Sequence, residues 1–157
     1  MTIRIRCCCA GLAALAVLSG PGAFRLEGQE RLSTVRGLRC TFPKAATARW
    51  DAKNAPEAAV RSTSLALRFE SIDVDAGTAQ LRTGAVGSEV TIRLAEGYLH
   101  FMQAFRTGPL YTTTVFEAGA SGGRFKAVHS RHEFFTTPVP GATSSPEQYY
   151  GECQTVK

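Results

Sequence analysis

Residues 89–98 read EVTIRLAEGY, and this stretch decides the fold class. Val90, Ile92 and Leu94 alternate with Glu89, Thr91 and Arg93. A period of two puts one strand face in a core and the other in water, whereas a helix would need its apolar residues three and four apart. Glu96-Gly97 then turns the chain into a second strand over residues 98–105.

Reading outward, the same signature recurs. Leu65, Leu67 and Phe69 alternate with Ala66, Arg68 and Glu70, but Ile72 and Val74 carry the opposite parity. A bulge near Ser71, or a corner there, resets the faces and leaves Asp73 and Asp75 in solvent. Residues 75–78 (Asp-Ala-Gly-Thr) form a turn, 79–83 a short strand and 84–88 another turn. Thr107-Gly108-Pro109 leads into a strand over 111–117, and the Gly-rich segment 118–123 is the loop before the last long strand, 124–135. Leu38, Cys40 and Phe42 mark a first strand over 37–42. Residues 44–61, with several alanines, Asn54 and Pro56, read as a long connection with one helical turn after Pro56. Three prolines make residues 136–148 irregular, and 149–153 are extended. Seven or so short strands with a turn about every ten residues predict a mainly β fold, an antiparallel meander closing into a small barrel or a curled sandwich.

The N-terminus bears on compartment. Arg4 and Arg6 precede an apolar run over residues 7–18, followed by Ser19, Gly20, Pro21, Gly22 and Ala23. Basic, then apolar, then small is the order of a signal peptide, predicted as a helix within residues 1–24. The run falls short of the roughly 20 apolar residues of a membrane span, so no stable span is expected after cleavage. Residues 25–36 then form a flexible lead-in and 37–157 a single β domain. Removing Arg4 and Arg6 leaves 16 basic against 13 acidic residues, a net charge of +3. The dispersed basic residues form no stripe for a nucleic acid, and none is expected as a partner. Cys7, Cys8 and Cys9 leave with the leader. Cys40 and Cys153 are then the remaining cysteines of a chain sent to an oxidising compartment, periplasmic or secreted, and should form one structural disulfide.

Four residues are the candidate ligand-binding set. His129 and Arg131 continue the inward face of Phe125 and Ala127, so Arg131 must lie at the mouth of the fold or meet a carboxylate. Tyr98 and Tyr111 belong to an aromatic set on two neighbouring strands that could stack on a ligand, or on each other. His129 and His132 point to opposite sides of a strand and cannot share a metal, so no metal and no cofactor are expected. The Asp73 to Thr78 run resembles the opening of a calcium loop, but its later ligand positions hold Gly77 and Gly84, and turn chemistry accounts for it better. Two function classes follow. The first is a binding or interaction module of the bacterial envelope, taking a small apolar ligand or an envelope protein. The alternative is a metal-dependent or hydrolytic enzyme using His129, His132 or Asp73, although no nucleophile-elbow or phosphate-loop pattern supports it. The Cys40 to Phe42 start, Trp50, the run 72–79, the segments 113–116 and 125–132 and the ending 148–153 resemble small secreted bacterial β proteins without an assigned activity. That resemblance implies a small β fold and supplies no catalytic residue.

Overall fold

The computed structural model describes residues 31–50, 55–83, 86–134 and 145–156. The expected signal peptide lies outside them, as do residues 25–30 of the lead-in and most of the proline-rich stretch before the last strand.

Among the described residues, eight strands form one closed antiparallel ring, each hydrogen-bonded to the next in sequence and the eighth to the first. They are β1 (Leu38–Trp50), β2 (Pro56–Asp73), β3 (Thr78–Thr83), β4 (Val86–Ala95), β5 (Tyr98–Ala104), β6 (Leu110–Ser121), β7 (Arg124–His132) and β8 (Glu147–Thr155). The meander is as expected. Its turns divide between two ends. The lower end carries the turns at residues 74–77, 96–97 and 122–123, together with the start of β1 and the end of β8. The upper end carries the end of β1 and start of β2, the end of β3 and start of β4, the β5–β6 connection at 105–109, and the end of β7 and start of β8.

Tight turns fall where the backbone can enter the left-handed region. Glu96 and Gly97 (φ 47° and 81°) and Gly122 and Gly123 (φ 59° and 71°) are two-residue hairpin turns whose twist matches the strands they join. The second shortens an expected loop, because β6 runs on to Ser121 and only Gly122 and Gly123 turn. Ser71 (φ 51°) sits where the β2–β3 register shifts between Glu70 and Asp73, so the parity reset is a bulge. It puts both Phe69 and Ile72 inside, while the Asp73 carboxylate accepts the backbone N–H of Asp75 (3.1 Å) and Ala76 (2.9 Å).

Inside the ring, Phe42, Phe69, Phe101, Phe125, Leu99 and Val115 are buried, with Phe69 stacked on Phe101 at 3.9 Å between ring centroids. Val90 and Ile92 share this core while Glu89, Thr91 and Arg93 are exposed, as the alternation requires. Among the described residues, the cavity between Phe69, Leu81, Val90, Phe101 and His129 is about 10 Å³, room for one water at most. Cys40 and Cys153 face each other across β1 and β8 and form the expected disulfide, with a Cα separation of 3.9 Å, below the usual range.

Two expectations are corrected. Within the expected connection over 44–61, residues 44–50 and 56–61 are strand: β1 continues to Trp50 and β2 starts at Pro56, paired from Lys44↔Ser62 to Trp50↔Pro56. Pairing with a neighbour imposed the extended form on alanines that have little local preference for it. A register break between Phe42 and Lys44 brackets Pro43, whose missing N–H suits a bulge. Residues 31–36 are not a free lead-in either. Leu32–Thr34 is a 3₁₀ turn, Leu32 (0 % exposed) and Val35 join the core, and the Leu32 N–H bonds Glu117 at 3.3 Å while the Ile72 N–H bonds the Arg36 carbonyl at 3.1 Å. They cover the lower end.

Candidate functional site

Polar side chains gather at the upper end, just above the apolar interior. β6 places Tyr111 and Thr113, β7 places His129 and Arg131, and β8 places Glu147 and Tyr149. Their register makes Tyr111↔Arg131, Thr113↔His129, His129↔Tyr149 and Arg131↔Glu147 direct cross-strand pairs, so all six point inward. Glu133, just past β7, and Arg61 of β2 complete the group.

The Arg131 guanidinium lies 5.3 Å from the ring centroids of both Tyr111 and Tyr149. Aromatic faces attract a cation, which offsets part of the cost of drawing it in from water. Each tyrosine is in turn tied to a carboxylate. The Tyr111 hydroxyl donates to Glu133 at 2.5 Å and the Tyr149 hydroxyl donates to Glu147, which also accepts from Arg61 at 2.8 Å. Burial and Glu133 push the Tyr111 hydroxyl up to about 12, and burial and Glu147 raise that of Tyr149. Both tyrosines are therefore donors and poor nucleophiles. Two guanidiniums against two carboxylates leave the cluster balanced in charge.

His129 lies one layer deeper and is 3 % exposed. Its Nδ1 is 2.9 Å from the Thr113 hydroxyl, and its Nε2 has no hydrogen-bond partner among the described residues. Burial first, and the Arg131 charge second, lower its pKa to about 4, so the ring is neutral at physiological pH. A general base needs reach to a substrate proton. This ring is enclosed by Phe42, Tyr111 and Tyr149 instead.

Of the four candidate residues, the fold brings His129, Arg131 and Tyr111 together. Tyr98 is not with them: it is about half exposed on the outer face at the lower end, against Phe116 and His100. The residues of the enzyme alternative are also dispersed, with His129 inside, His132 exposed on the opposite face of β7 and Asp73 at the end of β2 at the lower end. No group of three or more metal-ligating side chains occurs among the described residues. Sequence reasoning missed Tyr149, Glu147, Glu133 and Arg61. Tyr149 and Glu147 share the parity of Cys153, which was a usable signal, whereas Arg61 lay in the stretch read as a connection.

Two surface concavities flank these elements. A groove of about 280 Å³ runs over Thr47, Ala48, Ala58, Arg131 and Glu147 at the upper end. A larger one, about 560 Å³, lies on the outer wall over Pro43, Phe116, Lys126, Val128 and Tyr150, and it lacks convergent buried polar groups. Around the upper end stand most of the exposed large apolar side chains: Trp50, Val60, Val86, Phe105, Leu110 and Phe134 are there, while Tyr98 and Tyr150 are not. Trp50 and Phe134 meet edge to face at 5.4 Å.

No family model, curated protein or solved structure matches this chain.

Proposed function

We propose that this chain is an exported binding module, a small eight-stranded barrel that engages a partner in the bacterial envelope with its upper end instead of enclosing a ligand. The observation that carries this reading is the one-sided distribution of exposed apolar side chains, six of them around one end of the ring. Scattered exposed apolar residues are normal on a soluble protein, but gathered ones mark interaction surfaces. The close packing of Phe69, Phe101 and their neighbours around a cavity of about 10 Å³ argues against a small apolar ligand held among them. In this reading Arg131, held between Tyr111 and Tyr149, is the polar anchor beneath the apolar rim; Arg and Tyr are the types that dominate interface energetics. The N-terminal leader and the disulfide support an envelope or extracellular location.

Native mass spectrometry of the protein isolated from its own envelope tests this. A bound species should survive Tyr98→Ser, which alters the lower end, and disappear in the double variant Phe105→Ser/Phe134→Ser. Retention of that species by the double variant, or its absence from the unaltered protein, would overturn the reading.

A further inference from the structure

The two longest strands leave an edge unsatisfied. β2 pairs with β1 from Pro56 to Phe69, Trp50↔Pro56 down to Leu38↔Phe69, but β3 joins its other side only from Arg68 onward. Residues 56–64 of β2 therefore present a strand edge with no described neighbour. The faces of this ribbon are unequal. Directly opposed residues share a face in an antiparallel pair, so Ala46, Ala48 and Trp50 lie on the same side as Val60, Ala58 and Pro56, and that outer face is apolar throughout. Val60 is 75 % exposed on it. The inner face carries Thr47, Arg49, Glu57, Ala59 and Arg61. β8 backs β1 up to Thr47, so only residues 48–50 and 56–58 stand beyond the sheet as a two-stranded ribbon. Such a ribbon is marginally stable alone, and an open edge is a template for a further strand.

We propose that this edge pairs with the same edge of a second copy of the chain, antiparallel about a two-fold axis at Ala59. Charge selects the register. With the axis at Ala59, Glu57 lies opposite Arg61 of the partner subunit, twice by symmetry, and Ala58 lies opposite Val60. An axis at Arg61 would instead oppose two guanidiniums, and one at Glu57 two carboxylates, both destabilising on neighbouring strands. Glu57 makes no hydrogen bond or ion pair among the described residues, and Arg61 spends one nitrogen on Glu147, leaving donors for a second carboxylate. The contact is isologous and closes after two copies, so it forms a dimer and not a fibre. The result is a four-stranded sheet whose outer face joins the two apolar ribbons. This deepens the proposed binding role by giving the ribbon part of the upper end to a second copy, while Phe105 and Leu110 stay off the ribbon and Phe134 meets it only through Trp50, away from the β2 edge.

Light scattering across a dilution series into the high-micromolar range reads the mass. The unaltered protein should be dimeric at the upper concentrations. Glu57→Arg, at an exposed position that makes no hydrogen bond or ion pair among the described residues and faces Arg49 of its own β1, should weaken association about tenfold or more. Arg49→Ala/Glu57→Arg separates that own-chain repulsion from the loss of the partner's Arg61 and should stay as weak. Mixing Glu57→Arg with Arg61→Glu should restore a heterodimer, because both cross-pairs are then of opposite sign. Ala59→Cys should give an intermolecular disulfide, mapped by peptide mass spectrometry, since residues facing each other across an antiparallel pair sit about 4.5–5.5 Å apart. Ala58→Cys should not, because its own copy is one diagonal away. A monomer at every concentration, a Glu57→Arg dimer as tight as the original, or cross-linking through residue 58 in preference to 59 would overturn the self-pairing. None of these bears on the rim residues off the ribbon, whose test is separate.

Discussion

Gly151 shows how one residue without a side chain holds a wall together. It lies on β8 opposite the β1 bulge, and a Cβ there would stand 1.9 Å from the Thr41 carbonyl oxygen and 2.8 Å from the Phe42 Cα. Backbone cannot swing aside as a side chain can, so Gly151→Ala should cost about 4 kcal/mol or more, at the severe end for point changes. Gly122→Ala makes the control: nothing lies within 4 Å of its Cβ, and only the left-handed φ of 59° opposes it, for about 1–2 kcal/mol. Urea melts of the two variants decide this; similar midpoints would mean β1 and β8 part easily at the bulge. His129 supplies a second residue-scale prediction. Its folded pKa of about 4 lies below the 6.5 of an ordinary histidine, so the unfolded chain binds the extra proton first. Stability is full above about pH 6.5 and falls as pH drops toward 4. Between pH 7 and 5 the loss should be about 2 kcal/mol from this group. His129→Gln should flatten that slope, and an unchanged slope would assign it elsewhere.

At the scale of elements, β4 gives the cleanest test of how alternation becomes packing. Ile92 is buried against its cross-strand partner Phe101, while Thr91 is exposed. Ile92→Ala should cost about 2–5 kcal/mol and Thr91→Ala a few tenths. Equal small losses in denaturation would mean the ring repacks around the gap. This strand was legible in advance because large apolar and polar residues alternate without a break, and the β2 bulge was legible from the same parity at Ile72. The ribbon was not. Ala46, Ala48, Ala58 and Ala59 carry no strand preference, and their extended form follows from pairing partners distant in sequence. The aromatic face of β5 was ambiguous for a related reason. Tyr98 and Leu99 are both apolar enough to face inward, and only the register with β6, Leu99↔Val115, puts Leu99 inside and Tyr98 out. The polar cluster was half legible: Phe125, Ala127, His129 and Arg131 follow one face, but their partners come from β8 and β2 through pairings that no local pattern encodes.

For the whole molecule, ring closure places the first and last strands side by side, and the disulfide sits on that seam. Cys40 and Cys153 are both fully buried and 113 residues apart in sequence. Their bond therefore restrains nearly the whole described chain once the hydrogen bonds are lost. In the folded state β1 and β8 remain paired on either side of it, from Leu38↔Thr155 to Thr47↔Glu147, so the bond adds little to native geometry and acts chiefly on the unfolded ensemble. For a loop of this length the chain-entropy cost of its removal is about 4–5 kcal/mol. The double variant Cys40→Ala/Cys153→Ala should keep its far-ultraviolet circular dichroism, unfold at a much lower urea concentration and show a steeper denaturant dependence, because its unfolded chain exposes more surface. Reduction of the unaltered protein should be slow until the ring opens, since neither sulfur is reached by solvent. An equal urea midpoint with and without the bond would show that the closed ring, and not the covalent seam, sets the stability of this fold.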